Sequence, residues 1–264
     1  MPIGSMLHGA RVLVTAASQG IGYSAAQAFL GEGARAVING SNPERLAAAA
    51  RRLDPLGEVH GIVADLTKQG DLDRLVEETA SRLGGIDTLV YVTGSPNPGV
   101  FLEQGFDDWN RAASLLVVSP AYLARKTAEV MLRGKTHGRM VFLTSVAIRE
   151  PIANLATSSV CRIAVAGLVR SLSRELGPNG IRVNGILPGY IRTGRIDAVA
   201  EDGARRRGIT PAEVIQGIER DIPLGRLGTP EELARAIVFL GSEMSAYVTG
   251  AMLTVDGGLL RSVG

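Results

Sequence analysis

RVLVTAASQGIGYSAAQAFL, Arg11 to Leu30, decides the fold. Its first five residues, RVLVT, form a short apolar run rich in β-branched side chains, which predicts a strand. From Ile21 onward the apolar positions recur at helical spacing. The turn between them, TAASQGIG (Thr15–Gly22), contains Gly20 and Gly22. Glycine there lets the backbone approach a ligand and lets the helix pack closely on the strand. A helix starting at such a turn presents free N–H groups to a pyrophosphate. Two glycines alone mark many tight turns, but a strand before and an amphipathic helix after them point to a dinucleotide site.

Outward from this unit the same alternation continues. AVIN (36–39), VHGIVAD (59–65), DTLVYV (87–92), RMVFLT (139–144), IRVNGIL (181–187) and AMLTV (251–255) read as further strands. Most are apolar nearly throughout, as expected when both faces of a sheet are covered. Helical patterns lie near 21–32, 43–53, 69–83, 107–133, 155–177 and 230–241. Asn42-Pro43-Glu44 and Thr229-Pro230-Glu231 carry helix-start signals: a capping side chain, proline in the first turn, then an acid at the positive end. Repeated strand–helix units predict an α/β, Rossmann-like doubly wound parallel sheet of seven strands, with helices on both faces. Ligands of such a sheet sit at the carboxyl ends of the strands.

No Pro/Ser-rich linker divides the 264 residues, so a single domain, 1–264, is expected. Leu115, Leu116, Val118 and Tyr122 cannot all face one sheet, which suggests a subunit interface on the helices at 107–133 and 155–177. The segment 194–224 breaks the rhythm, being polar and mostly helical, and reads as a lid. Its Arg205, Arg206 and Arg207 either attract an acidic substrate or form a solvated face with Glu201–Arg205 and Asp202–Arg206 pairs.

Composition narrows the function classes. Hydrophobic residues are 45% and charged residues 20% of the chain, enough for a large core. Lys+Arg (28) nearly balance Asp+Glu (26), so no electrostatic footprint for nucleic acid is present. One cysteine, Cys161, excludes an internal disulfide and fits a reducing compartment; it reads as helix packing rather than a reactive thiol. His8, His60 and His137 lack metal-ligand spacing, so no metal is expected. MPIGSMLHGA has no signal-peptide pattern, and no segment reaches the roughly 18 apolar residues of a membrane span. A cytoplasmic protein without membrane contact is the expectation.

With TAASQGIG, the chain carries Asp65 in VADLT, Gly94 after the fourth strand, Ser145 in FLTS, IRVNGILPGYIRT (181–193) and TGAMLTVDGG (249–258). Together these resemble the short-chain dehydrogenases/reductases from Gly9 to Gly258. The resemblance implies a nicotinamide dinucleotide, a small-molecule substrate and a homotetramer or homodimer. It implies that Ala16 (in place of the first loop glycine), Ser18, Gln19, Gly20, Ile21 and Gly22 line the pyrophosphate and ribose. Asp65 and Leu66 would meet the adenine, and Thr93 and Gly94 would underlie a ribose. Pro188, Gly189, Ile191 and Thr193 would hold the carboxamide. Asp65 reads equally as a strand-end cap, and Pro188-Gly189 as an ordinary turn. The second strand ends in Asn39-Gly40-Ser41-Asn42, without the acid that binds an unphosphorylated ribose, and Arg45 follows within a helical turn. NADP(H) is therefore favoured over NAD(H), with Ser41 at the 2′-position.

Typical members of this family use a serine, a tyrosine and a lysine four residues later, backed by an asparagine. Ser145 matches the serine, but Ser158, Arg162 and Leu116 occupy the other three positions. Arg162 keeps a positive charge and can donate to ribose hydroxyls, yet it cannot titrate and so cannot sit in a proton relay. Ser158 has no accessible pKa, so the usual proton relay is missing. Tyr190 is the first alternative proton donor, with Tyr91 and Glu150 behind it; each also reads plainly, as lid packing, core and a solvated charge. Orientation supplies about 7–11 kcal/mol of a barrier and general acid catalysis roughly 3–5. The leading reading is therefore an oxidoreductase with an atypical active site, acting on a carbonyl or alcohol. The alternative is a dinucleotide-binding sensor or partner subunit without turnover, and a non-redox reaction such as dehydration or epimerisation stands behind both.

Overall fold

The computed structural model describes residues 7–96 and 98–262; the remaining ends of the 1–264 span, including much of the segment read for a signal sequence, lie outside these. Seven strands, β1 (Arg11–Val14), β2 (Arg35–Gly40), β3 (Val59–Val63), β4 (Thr88–Tyr91), β5 (Arg139–Leu143), β6 (Arg182–Pro188) and β7 (Met252–Val255), form one sheet in the order 3-2-1-4-5-6-7. Every neighbouring pair is parallel. The order reverses between β1 and β4, which opens a crevice at their carboxyl ends. The central strands are buried on both faces, while the edge strands β3 and β7 are half-exposed, so the apolar runs track coverage.

The connecting helices are α1 (Gly20–Gly31), α2 (Pro43–Leu53), α3 (Gln69–Leu83), α4 (Phe106–Ala113), α5 (Ser119–Arg133), α6 (Ala156–Leu176), α7 (Gly194–Arg207), α8 (Pro211–Asp221) and α9 (Pro230–Leu240). Two apolar clusters flank the sheet. One joins Val12, Val14, Phe29, Ile38 and Ile237 on the α1/α9 side, and the other joins Leu13, Leu75, Leu89, Phe142 and Val169 on the α3/α5/α6 side. The expected helix starts hold: Asn42 Oδ1 accepts from Arg45 N at 2.8 Å, and Thr229 Oγ1 accepts from Glu232 N at 3.2 Å.

The single helix expected over 107–133 is broken. A π turn, Ser114–Val118, separates α4 from α5. Pro120 has no N–H to close the regular ladder there, which favours the widened turn. The carbonyl of Leu115 within it accepts from the buried Tyr91 hydroxyl at 2.8 Å. Leu116 packs with Ala112 and Cys161, whereas Val118, with Val160 and Ile163 of α6, remains exposed.

The 194–224 segment is the helical hairpin α7–α8, with its own apolar contacts among Ile196, Ala200, Ala204, Val214 and Ile222. Of its two expected ion pairs, Asp202–Arg206 forms and Glu201–Arg205 does not. Asp202 takes both Arg205 (3.2 Å) and Arg206 (2.8 Å), and Glu201 has no ion pair among the described residues. An i,i+3 approach lets one carboxylate serve both guanidinium groups.

β1 and β4 are locked together at their amino ends by one side chain. Asp87 accepts from Arg11 N (2.8 Å), Nε (2.9 Å) and Nη2 (2.6 Å). Burial pushes the Asp87 carboxyl up, but the Arg11 hydrogen bonds and charge outweigh it and hold the carboxyl below its usual range. Its stabilisation is therefore present above the unfolded-state pKa of about 3.9 and is lost as pH falls through the lower folded value. Asp87→Asn should cost about 1–3 kcal/mol at neutral pH in urea unfolding, and the gap to the parent should close as pH drops below about 4.

Candidate active site

A cleft of about 770 Å³ lies over the carboxyl ends of β1, β4, β5 and β6. This is ample for a dinucleotide portion and a small substrate. Of the residues expected to hold the cofactor, Ala16, Ser18, Gln19, Gly20, Ile21, Gly22, Ser41, Thr93, Gly94, Arg162, Pro188, Gly189, Ile191 and Thr193 all line it. Asp65 and Leu66 do not. The Asp65 carboxylate caps the turn after β3, accepting from Thr67 N (3.0 Å) and Oγ1 (2.8 Å). Leu66 is buried, and its carbonyl accepts from the Ser119 hydroxyl. The strand-end-cap reading of Asp65 thus describes what it does here.

The glycine turn is shaped by close approach. A Cβ on Gly22 would lie 2.6 Å from the Ala16 carbonyl oxygen, so only glycine fits. Ala16 itself adopts φ 46°, a left-handed conformation that costs a side-chain-bearing residue about 1–2 kcal/mol. Asn39, fully buried, holds it there: its Oδ1 accepts from Ala16 N at 3.2 Å, and its amide donates to the Ile62 and Ala64 carbonyls. Asn39 is therefore a brace rather than a ribose ligand.

Beyond the turn, α1 starts without a side-chain cap and with no acid in its first turn. The start of α7 also lacks a side-chain cap and comes close, since a Cβ on Gly20 would lie 3.6 Å from Thr193 Cγ2. Both helices thus leave N–H groups free at the cleft. Gly94 has nothing within 4 Å of where a Cβ would stand, which leaves room for a ligand against the backbone. The buried Thr93 hydroxyl finds no partner among the described residues. These features fit a phosphate- and ribose-bearing ligand.

Ser145, Ser158 and Arg162 line the same cleft. Ser145 Oγ accepts from Ala147 N at 3.1 Å, which fixes its rotamer and leaves its proton free to donate. Arg162 is 6% exposed, yet no carboxylate among the described residues pairs with it. Its Nε donates to Ser158 Oγ (3.1 Å), Nη1 to the Leu143 (3.3 Å) and Thr144 (3.2 Å) carbonyls, and Nη2 to Ser95 Oγ (3.3 Å). Burial lowers its pKa to about 10, which keeps it charged at neutral pH. Ser158 Oγ, already an acceptor, likewise keeps a proton to donate.

The three alternative proton donors fare differently. Tyr91 is walled in and pushed up by burial to about 12. Glu150 accepts from Arg261 N (2.9 Å) and Ser262 N (3.0 Å), and these bonds hold its carboxyl down, so it clamps the chain's end as a carboxylate. Tyr190 lines the cleft but packs with Ile196 and Ile222; burial, then the Asp221 charge, raise its pKa. A raised phenol holds its proton more tightly, opposite to the tuning an acid catalyst needs. Arg195 and Ser95 also line the cleft and were not singled out from sequence. Arg195 carries one signal that was visible, a cation in the first turn of a helix, where the macrodipole disfavours it.

The model of a family described as enoyl-(acyl carrier protein) reductase matches residues 15–260. The chain belongs to the short-chain dehydrogenase/reductase family. It is 34% identical to glucose 1-dehydrogenase of Gluconobacter oxydans, over 95% of this chain and 92% of the relative. It is 29% identical to a 3-oxoacyl-[acyl-carrier-protein] reductase of Aquifex aeolicus, over 96% and 98%. L-sorbose reductase of Gluconobacter frateurii, solved with NADPH and L-sorbose, superposes with a TM-score of 0.92 at 30% identity, covering all of both chains.

The strained alanine gives a direct test of the turn. Ala16→Gly should raise stability by about 0.5–1 kcal/mol in denaturant unfolding, because glycine accepts that φ without a Cβ clash.

Proposed function

We propose that the protein is an NADP(H)-dependent oxidoreductase that interconverts a carbonyl and an alcohol without a catalytic tyrosine. One observation carries this reading. Ser145 and Ser158 line one cleft with their oxygens already occupied as acceptors, and a buried guanidinium stands directly behind Ser158. Both hydroxyls are thereby turned into donors for a substrate oxygen.

The nicotinamide, when bound, supplies or accepts the hydride. The chain's part is electrostatic. As negative charge gathers on the substrate oxygen during reduction, Ser145 and Ser158 donate to it and Arg162 supplies positive charge in a site of low dielectric. Neither serine has a base, and Arg162 stays protonated, so the proton comes from solvent at the cleft mouth. Ser18, Gln19, Gly20, Ile21, Gly22 and Thr193 would hold the pyrophosphate side, and Thr93, Gly94, Pro188, Gly189 and Ile191 the nicotinamide side. Asp65 and Leu66 would meet the adenine only at the far edge. Ser41 and Arg45 line the cleft, and Asn39–Asn42 at the end of β2 contains no acid, which favours the 2′-phosphate. That L-sorbose reductase was solved with NADPH supports this choice. The exposed Val118 at the π turn and Val160 and Ile163 on α6 suit self-association into a dimer or tetramer.

Arg45→Ala should weaken NADPH about 10-fold or more while leaving the NADH dissociation constant within about 3-fold. Equal effects on both would remove the 2′-phosphate assignment.

Ser145→Ala should lower kcat by about 10²-fold at little change in cofactor affinity. With no titrating acid, the reduction rate should stay level from about pH 6 to 9. A rate falling with a midpoint near neutrality would instead reveal a conventional acid. Ser158→Tyr with Arg162→Lys should raise turnover of simple aldehydes. NADPH binding without oxidation over a broad carbonyl panel, in parent and double variant alike, would favour a non-catalytic dinucleotide-binding protein.

A further inference from the structure

Two arginines enter the cleft from different elements and are held at one bend. Arg162 comes from α6, and its Nη2 donates to Ser95 Oγ at 3.3 Å. Arg195 comes from the first turn of α7, and its Nη2 donates to the carbonyl of the adjacent Pro96 at 3.2 Å. Neither has a carboxylate partner among the described residues. The remaining charged groups of the cleft do not balance them: Arg45 and Arg207 add positive charge, and the Asp202 carboxylate is taken by Arg205 and Arg206.

Such an arrangement is unfavourable by itself. Arg162 is buried, and Arg195 is half-buried at the positive end of a helix. Burial lowers the pKa of both, and the Arg195 charge lowers that of Arg162 further. An anion bound beside both would offset this repulsion and the cost of burial.

The hydrogen-bond inventory says where. Arg162 has most of its N–H groups engaged, by Ser158, two carbonyls and Ser95. Arg195, which lines the cleft, has only Pro96 among the described residues, so most of its five N–H groups have no protein acceptor there. A guanidinium fork matches a carboxylate or phosphate oxygen pair.

We propose that the substrate is a carbonyl compound bearing an anionic group, a carboxylate or a phosphate, which seats on Arg195 beside Arg162 at the Ser95–Pro96 bend. This rests on the oxidoreductase reading for the identity of the ligand as a substrate, but anion binding is measurable without turnover. The same chemistry is present in the phosphates of the cofactor, so the test is made with the cofactor already in place.

NADPH-saturated protein is titrated calorimetrically with pyruvate, acetoacetate and levulinate, each against its methyl ester, and with inorganic phosphate. At least one acid should bind at least about tenfold more tightly than its ester, and phosphate should compete with it. Arg195→Gln should abolish the difference between acid and ester while the NADPH dissociation constant moves less than about threefold, and Arg195→Lys should recover part of it. Acids binding no better than their esters would overturn the proposal. So would an Arg195→Gln variant that loses NADPH affinity and not acid affinity, since the arginine would then serve the coenzyme phosphates. Oxidation of NADPH is followed separately by absorbance. An acid that binds through Arg195 without oxidising NADPH sinks the hydride-transfer reading and leaves the anion site standing.

Discussion

A guanidinium buried without a carboxylate sets the terms for everything around the cleft. Arg162 is held by the carbonyls of Leu143 and Thr144 at the end of β5, by Ser158 one turn back on α6, and by Ser95 after β4. These four contacts tie together the two strands and the helix that form the floor. The desolvation of an unpaired cation costs several kcal/mol, so the surrounding dipoles must be fixed in place to make it tolerable. A site preorganised around one charge is also a site ready to stabilise the opposite charge when it develops.

The parallel sheet makes that arrangement possible. Reversal of strand order between β1 and β4 opens the crevice where α1 starts, and α7 starts close to it; neither helix has a side-chain cap. The free N–H groups of two helices and an unpaired arginine all favour an anion at the same crest. At the opposite end of the strands, the balanced Arg11–Asp87 pair closes the sheet. Charge is thus neutralised where the fold needs rigidity and left open where a ligand would enter.

Sequence carried the elements set by local physics. Asn42 and Thr229 cap helices through bonds three residues long, and the apolar strands followed from coverage on both faces. It failed where the partner is distant. Nothing near Glu150 says that its carboxylate will bind backbone N–H groups 111 and 112 residues away, or that Arg195 will bond a carbonyl 99 residues back. Asp65 was ambiguous for another reason. One carboxylate serves a turn cap or an adenine equally well, and here one of its oxygens takes both Thr67 bonds. The π turn before Pro120 escaped because the apolar spacing stays helical through it. The family motifs located the cleft residues from Ala16 to Thr193, but the motif positions alone could not say that the two serines would both be committed as acceptors.

The losses relative to the family pattern also fit one another physically. Where the resemblance calls for an asparagine, Leu116 packs against Ala112 and Cys161, closing that side with apolar contacts. The carbonyl freed beside it, on Leu115, is met by the Tyr91 hydroxyl. Leu116 is buried against Cys161, the residue before Arg162, so an apolar contact stands where the family pattern has a polar group. Apolar surroundings strengthen the field of a nearby charge. Leucine also offers no hydrogen bond to a relay water. On the proposed route, the strengthened charge and the missing relay are therefore one change: the site gives up delivery of a proton from within and gains electrostatic pull on the substrate oxygen, leaving the cleft mouth as the only source of the proton.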